Sequence, residues 1–169
     1  MRLLAHIDGG ARGNPGPAGY GVSIESDPQD LAAPGPDPAR RSAFELYGFI
    51  GIATNNTAEY AALLALLEHV GPLRPDSLTI RSDSELLVRQ MRGEYRVKDA
   101  KLQILHAAAR RLLNGLPHVV FEHVPREENR AADALANRAM DLQESSGPLP
   151  AALRSLPRTP GGTANLPSL

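Results

Sequence analysis

Four carboxylates in this 169-residue chain are spaced so that a fold could gather them: Asp8, Glu59, Asp83 and Asp133. Asp8 follows the apolar run of residues 3–7 and Asp83 follows residues 78–82, so each ends a predicted strand. In open sheets, sites collect at the carboxyl ends of parallel strands. If these two strands lie side by side and parallel, both acids meet at one edge. Glu59 and Asp133 fall near the first turns of two predicted helices, and all four then converge at one end of the sheet. Bare carboxylates at that range repel and raise one another's pKa. A hard divalent cation resolves the conflict, since magnesium takes oxygen ligands, keeps several waters and often binds phosphate as well. Two such ions about 4 Å apart could activate water on one side and stabilise a leaving oxygen on the other, which is the chemistry of phosphodiester hydrolysis.

Each acid also has a plainer explanation. Asp83 could be a turn former or N-cap, Glu59 a capping-box or dipole-favoured acid, and Asp133 a solvent-facing helix residue. The polar run around Asn55 could be only a cap. Position alone leaves these alternatives open.

The elements that must position the acids follow from the pattern of apolar residues. Residues 3–7 read as a buried strand, residues 9–17 as a glycine- and proline-rich turn, and residues 19–25 as a second strand. Residues 26–41 hold four prolines and read as a mobile loop. Residues 44–52 are the third strand. A polar cluster at 54–57 suits a helix cap, and residues 58–70 are the helix, with Ala62, Leu63, Leu66, Leu67 and Val70 on its apolar face. Gly71-Pro72 stops it. Then come a strand at 78–82, a short helix at 84–92, a helix at 100–113, a strand at 119–124 and a last helix at 129–142. The order β-β-β-α-β-α-α-β-α predicts an α/β domain: a five-stranded mixed sheet of three antiparallel strands followed by parallel β/α units, flanked by helices. The domain is expected over residues 1–143, with 144–169 a disordered tail rich in proline, glycine and serine.

Composition narrows the classes. Hydrophobic residues make up 42%, as in a globular protein, and no apolar run reaches the length of a membrane span. With no cysteine, the chain has no disulfide framework, thiolate metal site or cysteine nucleophile. A cytoplasmic monomer is the expectation. The net charge of −1 argues against holding nucleic acid by a large basic surface, but not against an enzyme that recruits metal ions to meet phosphate.

Four local sequences carry a family resemblance. DGGARGNPGPAGYG at 8–21, TNNTAEY at 54–60, SDSELL at 82–87 and VPREENRAADALAN at 124–137 resemble, in order, the four motifs of type 1 ribonucleases H. The resemblance runs from about Leu3 to Leu142. It implies a ribonuclease H-like fold and an endonuclease that hydrolyses the RNA strand of RNA–DNA hybrids. It further implies a two-metal-ion mechanism with magnesium, or manganese, leaving 5′-phosphate and 3′-hydroxyl ends. By the same resemblance, Asp8, Glu59, Asp83 and Asp133 are the metal-binding catalytic residues. Asn14, Asn55 and Asn56 match nucleic-acid contacts, and Thr54 matches part of a phosphate pocket for the DNA strand. Gly9 and Gly10 let the backbone approach the RNA sugars, whose 2′-OH distinguishes RNA from DNA.

The chain departs from the family pattern in three places. Glu85 stands where many members carry glutamine, and a carboxylate cannot donate as an amide can. The basic protrusion of some members is missing, residues 94–100 being short. The loop histidine of some members is not evident: His123 reads as a strand residue, while residues 127–129 could supply a polar substitute or be only a solvated helix start. Two rival functions remain at this point, a nuclease of the same broad fold acting on another substrate, such as a junction resolvase, and a non-catalytic nucleic-acid-binding module. The asparagine pair and the opening glycines favour hybrid recognition over the first, and the complete set of four acids argues against the second.

Overall fold

A computed structural model describes residues 1–28 and 44–156. Five strands form one sheet: β1 (Arg2–Ala11), β2 (Gly16–Ser26), β3 (Phe44–Ala53), β4 (Ser77–Ser82) and β5 (Val119–His123). Their order across the sheet is β3-β2-β1-β4-β5. The β1/β2 and β2/β3 pairs are antiparallel, while β1/β4 and β4/β5 are parallel. The mixed sheet expected from the element order is therefore present, with the strands bearing Asp8 and Asp83 adjacent and parallel.

The helices are α1 (Asn55–Val70), α2 (Glu85–Met91), α3 (Ala100–Leu113), α4 (Arg130–Leu142) and α5 (Ala151–Arg154). Neighbouring residues on β1 show how they are layered. A Cβ on Gly9 would meet the backbone of Ala58 in α1, whereas one on Gly10 would approach Met140 in α4. Successive strand residues point to opposite faces, so α1 and α4 cover opposite sides of the sheet. The main core lies on the α1 side, where Ala5, Ile7, Val22 and Ile80 pack with α1, α2, α3 and α5. On the other face α4 buries Ala132, Leu135, Ala136 and Ala139. It rests close to the strands because β2 offers Gly21, where any Cβ would lie 2.2 Å from the carbonyl oxygen of Ala132.

Three expectations need correction. First, β1 does not end at Asp8 but continues to Ala11, with Asp8 opposite Gly21 and Gly10 opposite Gly19 in the β1/β2 ladder. The predicted turn at 9–17 shrinks to residues 12–15, because Gly9 serves the close approach of α1 rather than chain reversal and Gly10 continues the strand opposite Gly19. Second, α1 starts three residues early, at Asn55, and is buried continuously from Thr57 to Leu67 rather than along one face, since the sheet, α2 and α3 all close on it. Third, the tail is packed as far as residue 156. Ser145 and Ser146 accept hydrogen bonds from the backbone N–H groups of Phe49 and Tyr47, and the N–H of Ser146 donates to the carbonyl of Tyr47. Leu149 and Leu153 enter the main core, and the N–H of Ala151 donates to Glu68 at 2.9 Å. Two leucines beside a four-residue helix bury apolar area without creating a readable period. Most of the predicted loop at 26–41, and the last 13 residues of the tail, lie outside the described residues.

Candidate active site

Asp8 and Asp83 come together because β1 and β4 are parallel neighbours, paired as far as Ile7 with Ser82. Beyond that rung Asp8 stays in β1, while Asp83 leaves the sheet ahead of α2. Asp83 is not the cap of that helix. Ser84 takes the role, accepting from the N–H of Leu87, so the carboxylate of Asp83 is left for other use. Glu59 arrives from α1, on the turn after the N-cap Thr54, and is almost entirely buried. The ligand atoms of Asp8, Glu59 and Asp83 all lie within 4.8 Å of one another. Asp133, in the first turn of α4, lies near enough to Asp8 to raise its pKa, at the edge of this trio. The four acids predicted to converge do so, three as a tight cluster and the fourth at its edge.

The electrostatics are those of acids forced together. Burial, then the Asp83 carboxylate, then Asp133 push Asp8 from its usual 3.8 up to about 8, against a smaller opposing hydrogen bond from the Gly9 N–H. Burial and then Asp8 and Asp83 hold Glu59 well above the ordinary range. Its Oε2 is buried with no hydrogen-bond partner. An oxygen-only donor set with an orphaned buried carboxylate oxygen fits a hard divalent cation, whose charge would reverse these shifts and satisfy the oxygen.

The predicted substrate contacts divide into those at the rim of this cluster and those elsewhere. Asn55 lies one turn before Glu59 on α1, about 6 Å along the helix. The Oδ1 of Asn55 accepts from the N–H of Ala11 at 2.8 Å, and the Oδ1 of Asn14 accepts from the N–H of Asn55 at 3.0 Å. These bonds lock the β1/β2 turn to the start of α1 and leave both side-chain NH2 groups as exposed donors. Asn56 is exposed beside them. Thr54 spends its hydroxyl on the helix, accepting from the N–H of Thr57 and donating to its hydroxyl. Gly10 is half-buried near Asn55, whereas Gly9 is buried against α1. Glu85 is not brought into the cluster; Arg89 holds it at 2.9 Å along the exposed side of α2.

Three further residues lie near the site in ways that sequence reading did not settle. His123 lies in β5 as expected, yet its Nε2 sits 3.3 Å from the carbonyl oxygen of Asp83. Arg126, in the turn before α4, approaches Asp133 at 3.7 Å while remaining largely exposed. Asn129, expected either as part of a polar substitute for the loop histidine or as a solvated helix start, is completely buried. The parallel β4/β5 pairing, which sets Ser82 opposite His123, is the one signal that could have placed His123 here.

Comparison with known proteins agrees with this geometry. The profile of the reverse transcriptase-like family matches residues 42–139. Ribonuclease HI of Halobacterium salinarum is 41% identical over 140 residues, covering 83% of this chain and 65% of its own length. The bifunctional protein Rv2228c of Mycobacterium tuberculosis is 37% identical, covering 96% of this chain and 43% of its own. The chain thus spans less than two thirds of the length of these two relatives. Among solved structures, LC11-RNase H1, isolated from compost and crystallised in complex with an RNA/DNA hybrid, superposes with a TM-score of 0.72 at 39% identity, covering 84% of this chain and 99% of that one.

Proposed function

The chain belongs to the type 1 ribonuclease H family, and from that membership we propose that it is an endonuclease hydrolysing the RNA strand of RNA–DNA hybrids. The observation that carries the reading is the tight trio of the buried Asp8 and Glu59 with the half-buried Asp83, with Asp133 at its edge and asparagine donors one helical turn away. Asp8, Glu59, Asp83 and Asp133 would hold the metal ions, magnesium or manganese, as a two-ion site. Bound there, the ions would supply an activated water and charge stabilisation for the leaving oxygen, giving 5′-phosphate and 3′-hydroxyl ends.

The protein's own groups bind and orient. Asn14, Asn55 and Asn56 present amide donors to sugar or phosphate oxygens. The half-buried Gly10 leaves room for a ribose to approach the backbone of β1. Thr54, whose hydroxyl already caps α1, would contribute to a phosphate pocket for the other strand by fixing the exposed start of that helix around Asn56. Glu85, neutralised by Arg89, is a weaker contact than an amide in its place. We extend the reading to a monomer acting in the cytoplasm, in keeping with a cysteine-free chain. The test is cleavage of a labelled hybrid with and without EDTA, beside duplex DNA and duplex RNA. Metal-dependent loss of the RNA strand of the hybrid alone supports the reading, and preference for either duplex overturns it.

A further inference from the structure

Asn129 sits at the N-cap of α4, where an asparagine side chain ordinarily folds onto the first free N–H groups of its helix. It makes no such bond. The side chain is fully buried, and its Nδ2 donates to the main-chain carbonyl of Ile7, 2.8 Å away and 122 residues earlier in the chain. Ile7 is the residue before Asp8. The main-chain carbonyl of Asn129 meanwhile accepts from the N–H of Asp133 at 3.1 Å. One residue thus ties the backbone beside Asp8 to the backbone of Asp133. A carbonyl needs a donor, so the Nδ2 must face Ile7 and the Oδ1 must face away. That Oδ1 is buried without a partner; among the described residues it shares this state with Glu59 Oε2.

Holding α4 on the sheet does not require this arrangement. Ala132, Leu135, Ala136 and Ala139 already bury the inner face of the helix. An apolar residue at 129 would avoid an orphaned acceptor, and a capping asparagine would serve the helix end directly. What the cross-tie adds is a defined distance between two backbones that each carry an acid of the cluster.

We propose that Asn129 is a positioning residue that sets Asp8 against Asp133, and thereby the affinity of the acidic site for its divalent ions. The inference rests on the metal-dependent hydrolase reading above. Hydrogen-bonding groups behind metal ligands typically govern about 10–100-fold in metal affinity or activity. The experiment is calorimetric titration of the full chain with magnesium, for wild type, Asn129→Ala and Asn129→Leu, the last keeping the buried volume without a donor. Steady-state cleavage of a hybrid is measured alongside. Magnesium affinity should weaken by about tenfold or more. At fixed magnesium kcat should fall with it, while KM for the hybrid stays near the wild-type value. Magnesium affinity close to wild type in either folded variant overturns the proposal, as does loss of the fold in both, because Asn129 would then serve stability alone. Calorimetry needs no substrate. A wild type that fails to cleave hybrids would therefore sink the proposed function and leave this test standing.

Discussion

Replacing Gly9 with alanine tests how the acids are brought together. The new Cβ would sit 2.3 Å from the main-chain carbon and oxygen of Ala58 and 2.5 Å from the nitrogen of Glu59. Carbon contacts are comfortable from about 3.5 Å, so β1 and the start of α1 must part by roughly 1 Å. The atoms struck are backbone in a buried helix, with no flexible side-chain end to swing aside. Such overpacking costs about 1–3 kcal/mol. At about 2–4 °C per kcal/mol for a chain of this length, the Tm should fall by roughly 2–12 °C. The same displacement moves Glu59 relative to Asp8, and a misplacement of about 1 Å can cost on the order of a hundredfold in rate. Gly10→Ala is the matched control. Its Cβ would find Asn55 Oδ1 at 3.9 Å and Met140 Cε at 4.0 Å, which are ordinary contacts. That variant should melt like wild type and raise KM for the hybrid, because Gly10 is the glycine left for substrate approach. Thermal melts and steady-state hybrid cleavage read both effects. A Gly9→Ala protein with near-wild-type kcat, or a greater loss of stability in Gly10→Ala, would refute the reasoning.

Asp8→Asn or Asp83→Asn should abolish nearly all cleavage and leave the fold intact; activity above about a tenth of wild type at saturating magnesium would remove that residue from the metal set. In EDTA, stability should fall as pH rises. Asp8 is held up to about 8 against a usual 3.8, so the folded protein keeps a proton that the unfolded chain releases. Its contribution is full below about pH 4 and is lost as pH climbs through about 8; melts at pH 5.5 and 8 should show the drop, magnesium should offset it, and Asp8→Asn should flatten it. Deleting residues 147–169 removes Leu149 and Leu153, which are 3% and 1% exposed. At about 1.5–3 kcal/mol per buried leucine the melt should fall by at least several degrees, while hybrid cleavage at 25 °C persists. His123→Ala should slow turnover only modestly, since the ring contacts the carbonyl oxygen of Asp83 and not its carboxylate; a loss of about a hundredfold in a folded protein, near 2.7 kcal/mol of barrier, would place the imidazole in the chemistry.

What could be read before folding was local. Asp83 stood out because it directly follows an apolar run; that Ser84 rather than Asp83 caps α2 was not legible. The four acids could be grouped because strand and helix periods set their ends. What escaped was tertiary. Gly9 looks like turn material, and only the backbone of α1 pressed against it explains why β1 runs on. Asn129 reads as a polar substitute or a solvated helix start, and its partner Ile7 is 122 residues away. Leu149 and Leu153 are too few to make a period, so their burial is visible only once α1 and α3 exist to receive them. Glu85 reads as a substrate contact by position, but its pairing with Arg89 depends on rotamers that spacing alone does not choose.

The two serines that close the domain on β3 have a further effect. A sheet of this order has two rims, β3 and β5, where unpaired main-chain groups could template a strand from another molecule. At β3, Ser145 and Ser146 occupy the amides of Phe49 and Tyr47 and the carbonyl of Tyr47. At β5, the Arg92 guanidinium donates to the carbonyl of Phe121. Both rims therefore offer an interrupted ladder to an incoming chain. Truncation at residue 144 would uncover one of them, and the shortened protein would be expected to self-associate at concentrations where the longer chain stays dispersed.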